Sequence, residues 1–255
     1  MAGLDLTTWL MVFLRASALL AIFPLFSARN FPVQLRVALG ALLALLVAPG
    51  IAPVSLAGLP LPMMILRMAG EVMAGLLLGF TSRMLFYSLD FAGGMIGSEM
   101  GLNLPAGLNP FGDTQSTAPG LILYYLAAII FLTLDLHHWL LVAFQRSYAA
   151  LPVGGAHAGE ALLVDVIKRT AQTFQIALRL AAPFIGVSFV LSTVLSILGR
   201  AVPQMNVFSE SFAVRSLAGL LVFGMTCQLM AEQITLYLRR LPDDVLRVAQ
   251  LLAGH

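Results

Sequence analysis

Long apolar runs alternate along the chain with short segments rich in Gly, Pro and charge, and the runs are patterned as helices. The first, Thr7 to Phe26, is long enough to span a bilayer, which takes about 20 apolar residues. Arg15 lies near its middle, and because charge in lipid is costly its side chain must face protein or water. The segment FSARNFPVQLR, with Arg29, Pro32 and Arg36, reads as a turn and a helix start. Leu35 to Val47 is short for a span and fits one arm of a hairpin that dips into the bilayer. Residues 49–62, with four prolines and two glycines, read as a loop. Met63 to Met100 is helical in character, yet at 1.5 Å per residue it would reach roughly 50–60 Å against a ~30 Å hydrocarbon core. A helix that is broken, or that projects beyond the bilayer, is predicted there. Leu121 to Leu151 is the next apolar stretch, followed by a polar segment at 153–169. Thr170 to Leu198 should kink at Pro183. After the loop GRAVPQMNVFSES, the last long helix is predicted from Phe212 to Leu238, with Arg239, Arg240, Asp243, Asp244 and Arg247 on a separate short surface helix. No run has the period-2 alternation of an outer-membrane barrel. The fold class is all-α: a polytopic helical membrane protein with broken helices and hairpins.

One stretch interrupts this pattern, GGMIGSEMGLNLPAGLNPFGDTQSTAPG at 93–120. Gly93, Gly97 and Gly101 lie at i, i+4 and i+8, one face of a helix, and Gly75 and Gly79 repeat the spacing upstream. Small residues every four positions let helices approach closely in membranes. Pro105, Pro110 and Pro119 then stop regular helix. Irregular backbone at membrane depth is tolerated only where protein surrounds it or where it lines a water-filled cavity. The stretch is therefore a candidate pore, gate or subunit contact.

Composition narrows the class. The chain is 60% hydrophobic and 10% charged, against about 25% charged in soluble domains, so little of it is soluble mass. A net charge of +2, scattered along the chain, excludes the clustered basic face that nucleic-acid binding needs. Cys227, the one cysteine, reads as a small packing residue. The first apolar run is expected to be a retained helix rather than a cleaved signal, because no positive charge precedes Trp9 and Arg15 interrupts it. Arg67 and Glu71 have the i, i+4 spacing of a helical ion pair, and with Glu99 they are expected as buried charges. No nucleophile elbow, P-loop or dinucleotide fingerprint is present, so neither an enzyme nor a cofactor is expected. His137 and His138 beside Asp135 and Trp139 invite a metal reading, but nothing in the sequence completes a ligand set. No metal is assigned, and the cluster reads as an interfacial anchor. The methionines are scattered, as gap-fillers are. Glu99 between Gly97 and Gly101 could carry a proton, but a carboxylate satisfied by water or a neighbouring subunit is the simpler reading.

Specific motifs go further. LGRAVPQMNVFSESFAVR, Leu198 to Arg215, resembles the signature of the FliR family of flagellar biosynthesis proteins, through Arg200, Pro203, Gln204, Asn206, Val207, Phe208 and Arg215. GGMIGSEMGLNL followed by HHWLLVAFQRSYAALPVG, and the early PLFSARNFPVQLRVALG, match in the same order. The resemblance implies a structural and gating subunit of the type III protein export channel. It would be part of a helical, cone-shaped gate assembled from P- and Q-type subunits, contacting the B-type subunit and passing unfolded exported proteins. It also implies the bacterial inner membrane and the flagellar basal body. Residues 1–160 would be P-like, with a plug loop at 103–118. Residues 161–255 would be a Q-like hairpin plus a short tail. Family plugs are often aromatic-rich, whereas this loop offers Leu104, Leu108 and a single Phe111. A hydrophobic constriction of such side chains can gate by dewetting. Arg200, Pro203, Gln204, Asn206, Phe208 and Arg215 would form the entrance loop and partner contact. The corresponding injectisome subunit is the alternative within the family. A secondary transporter using Glu99, Asp135 or Glu232 is the alternative outside it, although the inverted repeats common in that class are not visible.

Overall fold

The computed structural model describes residues 5–27, 31–54, 58–102, 117–157, 159–201 and 207–254, with the side chains of 207–210 excepted. Among these residues the regular structure is helical: α1 (Leu6–Ile22), α2 (Pro24–Ser27), α3 (Val33–Val47), α4 (Leu61–Glu99), α5 (Ala118–Thr133), α6 (Leu136–Ala150), α7 (Glu160–Ala201) and α8 (Val207–Leu252).

Local chemistry sets most of the boundaries. Asp5 caps α1, its carboxylate accepting from the Thr7 and Thr8 N–H groups and, at 2.6 Å, from the Thr8 hydroxyl. The helix ends at Phe23, where Pro24 disfavours α geometry in the preceding residue. Pro62 and Pro119 sit in the first turns of α4 and α5, where a missing N–H leaves no intrahelical bond unmade. Thr117 caps α5, its hydroxyl accepting from Gly120 N–H at 3.3 Å.

Several sequence-based boundaries need correction. The 35–47 run is extended by a 3₁₀ turn at Ala48–Gly50, so Val33–Gly50 is long and apolar enough to cross a membrane and need not be a dipping arm. Of the two alternatives for residues 63–100 the break is not seen: α4 is one unbroken helix of 39 residues, roughly 58 Å at 1.5 Å per residue, which is longer than a ~30 Å hydrocarbon core. The 121–151 run is two helices, α5 and α6, separated at Asp135, which takes the left-handed conformation at φ 53°. The short tail helix is no separate element, because α8 continues through Pro242 for 46 residues. Side chains decide this: Leu241, Val245, Val248, Ala249 and Leu252 form a buried helical stripe. α7 holds Pro183, the expected kink site, inside one helix from Glu160 to Ala201.

The chain forms two compact units. One comprises Met1–Leu85, Leu132–Thr170 and Leu238–His255; the other comprises Phe86–Phe131 and Ala171–Tyr237. The first packs Met11, Val12, Phe23, Leu78 and Leu151 in its core, and the second packs Leu89, Ile96, Leu123, Phe131, Phe184 and Ile234. Large apolar side chains are also exposed, among them Phe189 at 72% and Met225 at 82%. Only 6% of the apolar window in Ser211–Leu252 is buried by the chain itself. Apolar surface on this scale is covered by lipid or by other subunits.

Candidate functional site

In the first unit, α1 and α4 meet backbone to backbone. A Cβ on Gly75 would fall 2.3 Å from the Arg15 carbonyl oxygen, and one on Gly79 would fall 2.7 Å from that of Leu19. Glu71, one turn before Gly75, is thereby brought to Arg15. Both side chains are fully buried, and the guanidinium binds the carboxylate with both arms, Nε to Oε2 at 2.6 Å and Nη2 to Oε1 at 3.0 Å. The remaining guanidinium donors reach the Leu151 carbonyl, at 3.1 and 3.2 Å, and the Ser147 hydroxyl at 3.4 Å. Leu151 stands at the C-terminus of α6, where backbone carbonyls lack helical partners and a cation is favoured. The Tyr148 ring lies beneath the guanidinium, 4.0 Å from Cζ to centroid. On the other side, Gly154 N–H donates to Glu71 Oε1 at 2.8 Å from a turn in which Gly154 has φ +78°, a conformation that glycine adopts without strain.

The expected Arg67–Glu71 pair is therefore replaced by Arg15–Glu71. Spacing of i, i+4 allows a single exposed pair, whereas Arg15 supplies a buried two-armed one. Arg67 is half-buried, its stem against Gly154. Of the three charges expected in buried settings, Glu71 alone is fully buried; Glu99 is half-buried.

In the second unit, the glycine face of α4 meets the start of α5. A Cβ on Gly93 would fall 2.1 Å from Gly120 Cα, and one on Gly97 would fall 2.7 Å from Thr117 Cβ. The Thr117 hydroxyl donates to the Gly93 carbonyl at 2.6 Å. α4 closes in a Schellman turn: Gly101 at φ +70° donates to Ser98 O at 3.1 Å, and Leu102 donates to Gly97 O at 2.8 Å. α8 packs on this end, with Phe212 over Gly101, the Ser216 hydroxyl on Met100 O at 2.9 Å, and Gly219 so near Met100 that a Cβ would meet its Cγ at 2.3 Å. Glu99 and Arg215 line one small cavity there, and Arg215 binds the Ser192 hydroxyl at 3.0 Å. Residue 102, just before the expected plug loop, and residue 117, near its end, are thus both anchored, and the last residue expected in that loop, Ala118, begins α5. Leu104, Leu108 and Phe111 themselves lie outside the described residues, as do Pro203, Gln204, Asn206 and the Phe208 side chain. Arg200 is exposed in the last turn of α7.

Elsewhere in the first unit, Asp135, His137 and His138 present donor atoms within 4.8 Å of one another. Asp135 and His138 are exposed and His137 is half-buried, and among the described residues no fourth ligand of a structural zinc site joins them. Of the carboxylates the transporter alternative would use, Asp135 and Glu232 are exposed and Glu99 is half-buried. The sequence reading missed Tyr148, Ser147, Gly154 and Thr117. The available signal was two opposite charges, Arg15 and Glu71, each inside an apolar run.

Long apolar helices, a buried charge cluster and glycine-mediated backbone contacts define a polytopic all-α membrane protein built for close helix packing. The chain belongs to the bacterial export proteins of family 1, the family of FliR, whose sequence pattern it matches over residues 6–241. It is 27% identical over 235 residues to the flagellar biosynthetic protein FliR of Pectobacterium carotovorum subsp. carotovorum, covering 89% of this chain and 88% of that protein. Identity is 30% over 203 residues to the protein of the same name from Bacillus subtilis (strain 168), covering 78% of each chain. It is also 28% identical over 228 residues to the Yop proteins translocation protein T of Yersinia pestis, covering 88% of this chain and 87% of that protein.

Proposed function

We propose that the chain is a non-enzymatic structural and gating subunit of a type III protein export channel in the bacterial inner membrane. In this reading it packs with P-, Q- and B-type subunits around a pore for unfolded proteins. The family match over residues 6–241 carries the reading. The anchoring of residues 102 and 117 supports a loop between them that is held at both ends. On this reading residues 1–160 are P-like and 161–255 Q-like, Leu104, Leu108 and Phe111 seal the channel, and the residues from Arg200 to Arg215 contact partners at its entrance. Extraction of the tagged chain in mild detergent, followed by native mass spectrometry, should find small helical subunits of two kinds bound to it. A monomer or symmetric homo-oligomer refutes the assembly. Shortening the loop between Leu104 and Asp113 should make membranes leaky to small ions without blocking assembly. Unchanged conductance in an assembled complex refutes the plug.

The flagellar setting is preferred. The injectisome alternative is favoured by the similarity to the Yop translocation protein. Restoration of motility in a strain lacking its own flagellar relative separates the two.

A further inference from the structure

The first unit contains an open cavity of about 710 Å³ between the end of α3 and the last turns of α6. One wall is the 3₁₀ turn and the extended segment after it, including Ile51 and Val54; the other is Val142, Gln145, Arg146 and Tyr148 of α6. Both walls are held in place. Val54 N–H donates to Thr8 Oγ1 at 2.9 Å, and Tyr148 is clamped beneath Arg15.

The lining is chemically divided. Ile51, Val54 and Val142 are apolar, whereas Gln145 and Arg146 are exposed. Arg146 has no carboxylate partner among the described residues. Tyr148 is only 7% exposed, and its hydroxyl is buried without a hydrogen-bond partner, although a buried phenol ordinarily finds one. Val33–Gly50 is long and apolar enough to span, and the cavity lies against its last residues. Trp139, exposed and at i, i+3 and i+7 with Val142 and Arg146, is of an aromatic type enriched at membrane interfaces. An apolar cleft beside an unpaired guanidinium complements an amphiphile with an anionic head.

We propose that this cavity holds one anionic phospholipid, its acyl chain against Ile51, Val54 and Val142 and its phosphate on the Arg146 guanidinium and Gln145 amide. The test uses the full chain, purified in neutral detergent with whatever subunits accompany it, and titrated with phosphatidylglycerol or phosphatidylcholine. Retained lipid is counted by native mass spectrometry. Phosphatidylglycerol should be held about fivefold more tightly, the ratio that ~1 kcal/mol from one basic side chain at an anionic surface produces. Arg146→Gln, at an exposed position, should abolish that preference while Arg146→Lys keeps most of it, and Val142→Trp should reduce retention of both lipids. Equal retention of the two lipids by the wild type, or an undiminished preference in Arg146→Gln, overturns the proposal. So does a Val142→Cys thiol shielded from a maleimide by a co-purifying polypeptide and unaffected by lipid, which would assign the cavity to a protein partner.

Discussion

Glu71→Gln tests the charge cluster without opening a cavity. The substituted side chain has nearly the same volume and keeps an oxygen for Gly154 N–H, but it turns an amide donor toward the guanidinium and removes the neutralising charge. Arg15 then remains a fully buried cation. Removing one partner of such a pair costs about 3–5 kcal/mol. Replacing both partners, as Arg15→Met with Glu71→Leu, removes the stranded charge. In many proteins that exchange is neutral or stabilising. Here it would not be, because the Leu151 carbonyl and Gly154 N–H lose their partners, at about 1–3 kcal/mol for each buried orphan. The double variant should therefore be about as stable as Glu71→Gln or somewhat more stable, and well short of wild type. Unfolding by a denaturing detergent in mixed micelles, followed by tryptophan emission, reads this directly, since Trp9 and Trp139 both lie in the first unit. A loss below about 1 kcal/mol for Glu71→Gln would refute the desolvated two-armed pair, because that is the range of exposed ion pairs.

Gly93→Ala should destabilise by at least the ~1–3 kcal/mol of an overpacked core, because its Cβ has no room beside Gly120. Gly94→Ala meets nothing within 4 Å and should gain about 0.5–1 kcal/mol in helix propensity; thermal melts that rank the two equally would refute the contact line. The Asp5 carboxyl is held below the ordinary carboxylate range, chiefly by the Thr8 hydroxyl. Its folded pKa lies below the unfolded value, so the cap contributes fully above the unfolded pKa and the contribution is lost as pH falls through the folded one. Asp5→Asn should flatten that acid-side loss in melts taken across the same pH range. Arg200→Ala and Gln204→Ala should each reduce export of flagellar substrates into the medium, and normal secretion by both would remove that loop from the entrance.

The helical class was legible because apolar runs of spanning length leave few alternatives. Ends were less legible where packing overrode local signals. Pro242 with Asp243 and Asp244 reads as a stop, yet the buried stripe through Leu241, Val245 and Leu252 carries α8 past them. The glycine spacings marked helix faces but did not name the elements opposite. Gly75 meets Arg15 and Gly93 meets Gly120, pairings that follow from the tertiary arrangement alone. For Glu71 the nearest basic residue on the helix was the wrong partner. A residue 56 positions away offered a drier, two-armed bond that no local window contains.

The cluster around Arg15 also fixes an order of events during biosynthesis. Arg15 leaves the ribosome 56 residues ahead of Glu71 and 136 ahead of Leu151. Until Glu71 emerges, its guanidinium lacks the carboxylate that neutralises it in the folded chain, and a lone charge in lipid is costly. Full burial of the first helix therefore becomes favourable only once α4, and then the end of α6, arrive to receive the charge. A nascent chain that stops before Glu71 leaves an unmatched cation in a membrane segment, a mark by which quality-control proteases could tell an unfinished subunit from a finished one.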